Sequence, residues 1–332
     1  MRALYCRDWC DFDDLTIEDL PDPAVEPGML RLKVLAGGLG FAQSLVVAGK
    51  YQRKPPRPFT PGTEVAGEVL ECGPGVTRFA PGDKVLAHLD WGGFAEQTLA
   101  FETAAFRVPD GLDPVAVEPL IVSYLTSYCA LVWRAKLQPG EVLLVHGASG
   151  GVGLGAVEIG KALGATVIAA AGSPEKRALL AERGADHVID SRAEGMRHTV
   201  KELTDGRGAD VIYDPVGGTA FDESMRCIRE HGRILVIGFA SGVIPAAPAN
   251  LLLVKNVTLL GFNAGVYIGW NDPADRDRYH PNVAEAFDRM FAWTQEGKLR
   301  PTVSHRFDLA DFRAAMRTVL ERDAIGKVLL VP

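Results

Sequence analysis

Residues 145–153, Val-His-Gly-Ala-Ser-Gly-Gly-Val-Gly, put four glycines between the apolar run 142–145 and the amphipathic stretch 154–163. A strand over 142–146, a turn over 147–151 and a helix over 152–163 give the setting in which a glycine-rich turn binds a dinucleotide. Glycine permits the tight turn and lets backbone N–H groups approach a pyrophosphate, and the helix N-terminus adds unpaired donors and partial positive charge. Aligned on G-x-G-x-x-G, the three positions are Ala148, Gly150 and Gly153, with Gly151 and Val152 between them and Gly147 one place early. The second strand ends at Ala171, where an NAD site would carry an acid for the ribose 2′-hydroxyl. Gly172, Ser173, Lys176 and Arg177 follow instead. A hydroxyl and two cations suit a 2′-phosphate, so the expected cofactor is NADPH. The competing reading has Lys176 and Arg177 solvating the first turn of a helix capped by Ser173, with Glu175 offsetting part of their charge.

These residues need a sheet to hold them. From about Tyr124 apolar runs alternate with helical patterns at 152–163, 174–183, 194–204 and 219–230, which builds right-handed βαβ units and a doubly wound parallel sheet. Residues 249–262 read as its last strands. The first ~120 residues differ: short β-branched segments separated by Pro-Gly pairs at 27–28, 61–62 and 81–82 indicate an irregular, mostly antiparallel β domain. A helix over 282–296, another from Leu309 and a strand over 327–331 make a tail that rejoins it.

The chain has 332 residues, enough for two domains, with 47% hydrophobic and 23% charged residues. Its net charge of −7, with both signs interspersed, argues against nucleic acid and anionic membranes as partners. No apolar run approaches the roughly 18 residues of a membrane span, and Arg2, Arg7 and the acids of 11–14 break any signal-peptide pattern, so a cytoplasmic location is expected. Cys6, Cys10, Cys72, Cys129 and Cys227 never fall in C-x-x-C spacing and read as small buried hydrophobes.

With "FTPGTEVAGEVLECGPGVTRFAPGDKV", "YLTSYCALV", "VHGASGGVGLGAVEIGKALGATVIAAAGSPEK", "GADHVID", "DVIYDPVGG" and "GRILVIGFASG" in that order, the chain resembles the zinc-free quinone oxidoreductases of the medium-chain dehydrogenase/reductase superfamily. The resemblance implies an α/β protein. A GroES-like catalytic domain would span 1–122 and be completed by 266–332, with a Rossmann NADPH domain over 123–265. It also implies a quinone or other electron-poor acceptor, an enone, alkenal or enoyl thioester being the alternative. In zinc-dependent members a Cys and a His hold the metal; here Phe41 and Thr63 stand at those stretches, Glu64 remains, and no metal is expected. Glu118 reads as a helix-start carboxylate.

The resemblance puts a cleft among 41–51, Thr63, 88–94, Thr126 and 239–263. It implies that Thr126, Phe239, Phe262 and Asn263 hold nicotinamide and ribose, and that Arg322 reaches the 2′-phosphate or serves the surface. Tyr51 would donate to or position the substrate, or anchor its loop. Thr63 would form a polar wall, and Phe41 and Trp91 apolar walls or core. His88 reads as a structural histidine, with proton donation the alternative. The family usually has Asn where Gly40 stands and Tyr where Ser191 stands. "KYQRKPPRPF", 50–59, offers a basic entrance or a solvated loop. The apolar stretch 249–262 also predicts a two-fold homodimer through the sheet edge.

Overall fold

The computed structural model describes residues 1–332. Two units emerge, one of Met1–Val122, Gly265–Ala292 and Pro301–Pro332, the other of Ser123–Ala264 with Trp293–Arg300.

The first unit starts with the hairpin pair β1 (Arg2–Tyr5) and β2 (Thr16–Asp19). β3 (Met29–Leu39), α1 (Phe41–Val47), β4 (Glu64–Cys72), β5 (Lys84–His88), β6 (Gln97–Phe101) and β7 (Ala105–Arg107) follow. β3 organises the main sheet. Residues 29–33 pair with β6, while Gly37, Gly38 and Leu39 pair with a strand from the end of the chain. Along β3, Leu30, Leu32, Val34 and Ala36 are buried, the alternation that a half-covered sheet requires.

The second unit holds α2 (Ser123–Tyr128), β8 (Val142–Val145), α3 (Gly151–Ala162), β9 (Thr166–Ala171), α4 (Pro174–Glu182), β10 (His187–Asp190), α5 (Met196–Glu202), β11 (Ala209–Asp214), α6 (Thr219–Cys227), β12 (Ile228–Val236), α7 (Ala249–Lys255) and β13 (Thr258–Gly261). Its sheet is parallel throughout, in the order β10-β9-β8-β11-β12-β13. Helices cover the faces, so β8 and β11 are buried along their whole length. Strand order reverses between β8 and β11, and ligands of such sheets bind beyond the strand ends at that point.

The largest departure of an element from the sequence reading lies at 249–262. Residues 249–262 are not two strands: Ala249–Lys255 form the helix α7, Asn256 ends it at φ +51°, and only Thr258–Gly261 extend the sheet. A continuous apolar run carries no period that separates helix from buried strand. The preceding Pro248 caps the helix start, and Leu251 and Leu252 pack on the core while Leu253 and Val254 face outward.

The chain then forms α8 (Pro273–Gln295), longer than the expected 282–296, and β14 (Val303–Asp308), α9 (Phe312–Leu320) and β15 (Lys327–Val331). β15 pairs with β3, completing the first sheet from the far end of the chain. Residues 293–300, read from sequence with the first unit, pack with the second. Trp293 lies 6.0 Å from Tyr128, and the Arg300 N–H donates to buried Glu158 at 2.8 Å. No helix is long and apolar enough to cross a membrane.

Candidate active site

The turn after β8 sits at the reversal point of the parallel sheet. Gly147 has φ +54°, a conformation that L side chains rarely adopt. At Gly153 a Cβ would stand 2.2 Å from the Gly147 carbonyl oxygen, so the helix can start this close to the turn only without a side chain. Ala148 is fully buried and its N–H donates to Ala170 O at 3.1 Å, so alanine serves at the first motif position by filling the core. Gly150 is the N-cap of α3 and offers no side-chain cap, while Gly151 and Val152 open the helix. The first-turn N–H groups therefore have no intrahelical partner and suit an anion. Ser127 Oγ braces this turn from α2, donating to Val152 O at 2.6 Å and meeting the Tyr213 hydroxyl at 2.9 Å. The loop after β11 is held likewise: Asp214, buried, accepts from the N–H groups of Val216 and Gly217 at 2.8 and 3.0 Å. These features fit a dinucleotide pyrophosphate.

At the end of β9 the structure redistributes the expected cations. Ser173 caps α4, accepting from Lys176 N at 3.3 Å. Arg177 is committed to the protein. It pairs with Asp190 at 2.8 Å and donates to the carbonyls of Gly172 at 3.0 Å and Ala171 at 3.4 Å, so its charge is largely spent on the ends of β9 and β10. Arg192, from the loop after β10, lies instead against Gly172, where a Cβ would meet its Nε at 2.6 Å. The basic corner is thus Lys176 and Arg192, with Arg177 fixing the strand ends.

Thr126 is buried on α2, and Phe239, 37% exposed, lies over Gly217. Phe262 and Asn263 follow β13, beyond its C-terminal end like the other loops of this face. Arg322 lies in the first unit just after α9, at φ +62°.

The first unit has its own cavity of about 330 Å³ including its open mouth, lined by Ala42, Gln43, Val46, Tyr51, Arg53, Pro55, Thr63, Asp90 and Trp270. Tyr51 and Thr63 are here as expected. Phe41 is not; as the first residue of α1 it is 42% exposed, and the next two residues face the cavity instead. Trp91, 37% exposed, has its ring 5.4 Å from the Arg53 guanidinium and does not line the cavity, where Trp270 does. Gln43 Nε2, in the assigned amide orientation, donates to Thr63 Oγ1 at 2.9 Å, which leaves the threonine hydroxyl proton available. Burial raises the Tyr51 pKa, so at neutral pH its hydroxyl is a donor and not a base. Arg53 comes from the basic run 50–59, and Gln43 and Asp90 fall inside the expected cleft stretches 41–51 and 88–94 without a role of their own; Trp270 lies outside every stretch the sequence pointed to.

Beneath β3 lies a buried cluster of charge. Lys327 Nζ binds Glu64 Oε1, and Glu118 adjoins both; a Cβ at Gly38 would meet Glu118 Oε1 at 2.1 Å. Burial first, and then Glu64, push the Glu118 carboxyl well above the usual carboxylate range, so it holds its proton. Burial alone would lower Lys327, but the charge and hydrogen bond of Glu64 outweigh it and the ammonium is stabilised. Glu118 does start a short 3-10 turn, as read, but its carboxyl turns into the core. His88 is buried with neither ring nitrogen hydrogen-bonded, edge-on to Phe106 and Phe287 at 6.1 and 6.0 Å. Burial, helped by Arg276, lowers its pKa to about 3. It is a neutral core residue without the hydrogen-bond partner expected of a structural histidine, and it cannot donate protons as imidazolium at neutral pH.

Two family models match, an alcohol dehydrogenase GroES-like domain over residues 26–110 and a zinc-binding dehydrogenase over 151–276. The Nematostella vectensis protein "quinone oxidoreductase-like protein 2 homolog" is 38% identical over 334 residues, covering 99% of this chain and 88% of its own length. The chain belongs to the zinc-independent quinone oxidoreductase branch of the medium-chain dehydrogenases/reductases. Solved structures of this quinone oxidoreductase branch superpose closely. The Escherichia coli quinone oxidoreductase complexed with NADPH has a TM-score of 0.89 at 25% identity, with all of each chain covered. A mycobacterial protein complexed with NADPH has a TM-score of 0.90 at 29% identity, also with both chains fully covered. The matched dehydrogenase model is described as zinc-binding, but the donors here do not fit that ion. Thr63 and Phe41 are not zinc ligands, Glu64 is already engaged by Lys327, and no group of three or more His, Cys, Asp or Glu side chains converges.

Proposed function

We propose that this protein is an NADPH-dependent quinone oxidoreductase that reduces a quinone or similarly electron-poor acceptor without a metal. The observation that carries this reading is the Gly147–Gly153 cradle with a basic corner at the end of β9, in a chain 38% identical to a quinone oxidoreductase-like relative. In the second unit Ala148, Gly150, Gly151, Val152 and Gly153 would cradle the pyrophosphate, Gly172 would admit the adenosine ribose, and Ser173, Lys176 and Arg192 would take the 2′-phosphate. Arg177 would hold that corner in place. Thr126, Phe239, Phe262 and Asn263 are proposed for the nicotinamide end, and Arg322 for a phosphate contact.

When bound, NADPH supplies hydride; the chain's own residues do the rest. The first unit's cavity is proposed to hold the acceptor, with Tyr51 and Thr63 donating hydrogen bonds to the oxygen on which charge develops. An electron-poor acceptor needs only this modest help, since orientation supplies much of the rate. Trp270 walls the site.

The homodimer is also proposed. β13 ends the six-stranded sheet with one edge unpaired, and Val243, Ile244, Leu253 and Val254 are exposed in the same unit, 56 to 77% of each side chain reaching solvent.

NADPH oxidation followed against a small quinone and a conjugated alkenal, with NADH in parallel and chelator in half the wells, tests the reading. Chelator-insensitive turnover of quinone with NADPH is expected. Preference for the alkenal would reassign the activity to double-bond reduction, and turnover of neither would overturn it.

A further inference from the structure

Asp90 carries one negative charge and serves two guanidinium groups. Arg53 Nη2 binds its Oδ1 at 2.5 Å and Arg53 Nη1 its backbone carbonyl at 2.9 Å, while Arg276 Nη2 reaches Oδ1 and Oδ2 at 3.1 and 3.3 Å. Arg276 is only 7% exposed and lies over the Phe101 ring at 3.9 Å, so it offsets Asp90 from the protein side. Arg53 lines the cavity that holds Tyr51 and Thr63. Its guanidinium stands 5.4 Å from the Trp91 ring and 5.5 Å from the Trp270 ring, and Trp270 is itself anchored through its indole N–H to Leu89 O at 3.2 Å.

A guanidinium has five N–H donors, and Arg53 gives two to the protein. With Asp90 shared, a surplus positive charge lines the cavity, held beside two indoles that limit its motion and hydration. A simple loop strap needs one arginine on one aspartate, and the second arginine creates the surplus. The same segment adds exposed Lys50 and Lys54, and residues 50–57 contain no carboxylate, although the chain as a whole has net charge −7. A cationic island on an acidic protein steers and selects anions.

We propose that the preferred acceptor is itself an anion: a quinone or α,β-unsaturated ketone bearing a carboxylate, which Arg53 grips bidentately while Tyr51 and Thr63 face the reducible carbonyl. The proposal rests on the reductase reading above and names its substrate class. For an enone, the acceptor takes hydride from NADPH at one alkene carbon and a proton from water at the other, leaving NADP⁺ and the saturated ketone. Arg53 makes no covalent change and determines specificity by binding.

A matched pair tests this: 4-oxo-2-pentenoate, ionised at pH 7, and its neutral methyl ester. The ester is intrinsically the more electron-poor alkene, so chemistry alone favours it. Arg53 is expected to reverse that order, giving the acid a kcat/KM about tenfold or more above the ester, mainly through KM, with the advantage shrinking as salt rises. Arg53→Gln should collapse the acid-to-ester ratio. Lys50→Gln, on the exposed rim, should lower the acid's kcat/KM only a few-fold.

Tryptophan fluorescence gives a readout that needs no turnover, because Trp91 and Trp270 flank Arg53. Saturated 4-oxopentanoate should titrate the signal at lower concentration than its methyl ester. An ester turned over as well as or better than the acid, with equal binding of the two saturated probes, would overturn the anion assignment and leave the reductase reading standing. Selective binding of 4-oxopentanoate without turnover of either alkene or a quinone would do the reverse.

Discussion

At the scale of single residues, the same side-chain type does different work according to what it has already spent. Arg177 looks from its position like a phosphate ligand, but its bonds to Asp190 and to two strand-end carbonyls make it structural. Replacing Lys176 or Arg192 with Glu should therefore raise the NADPH Kd about tenfold or more and narrow the gap to NADH, read by fluorescence titration of each nucleotide. His88 gives a pH prediction. Its folded pKa of about 3 lies below the ordinary value of 6.5, so the unfolded chain binds the extra proton. Its contribution is fully present above pH 6.5 and is lost progressively as pH falls toward 3, on the order of a few kcal/mol. Urea midpoints measured from pH 7 to 4 should fall less steeply in His88→Leu than in the parent; equal slopes would refute the assignment. The glycine spacing and the missing acid at Ala171 were legible in the sequence because they follow local backbone rules. Arg192 was legible only as the neighbour of Ser191; its approach to Gly172 was not, because that depends on how two neighbouring strands end.

Elements show where local pattern suffices. β8 and β11, short apolar runs bounded by turns, read directly as buried parallel strands, and α4 with Ser173 as its cap read directly as a helix. Residues 249–262 misled because an unbroken apolar run has no period, and only packing on the core face separates α7 from β13. Residues 293–300 misled for a different reason, since the tie is a distant carboxylate. Glu158 is 1% exposed and accepts from Tyr124 Oη at 2.9 Å, Arg183 Nη1 at 3.0 Å and Arg300 N at 2.8 Å. Glu158→Gln keeps the size but removes the charge and one acceptor, and should cost about 1–3 kcal/mol, seen as a lower thermal midpoint and faster proteolysis near residues 293–300. An unchanged midpoint would show that the segment is held without Glu158, by Trp293 and by the bonds of Arg300 to Arg183 and to the Glu182 carbonyl.

For the whole molecule, the proposed assembly follows from an unfinished sheet. β13 leaves a row of edge N–H and carbonyl groups, and α7 adds exposed Leu253 and Val254. Light scattering at micromolar concentration should give the mass of two chains, and Leu253→Glu with Val254→Glu should shift it to one with the fold retained by circular dichroism. A parent protein that scatters as a single chain would remove the edge-pairing proposal. By itself the sequence determined the class of the molecule: the β-rich first part, the βαβ rhythm, the dinucleotide turn and the final strand are all written in periodicity, turn residues and glycine spacing, which act over a few neighbours. Tertiary structure alone decided which charges are spent and which remain available. Asp90 shared by Arg53 and Arg276, Glu64 taken by Lys327, and Arg177 taken by Asp190 join residues on different elements. Electrostatic availability is a property of distance and burial, and chain order encodes neither until the fold brings those elements together.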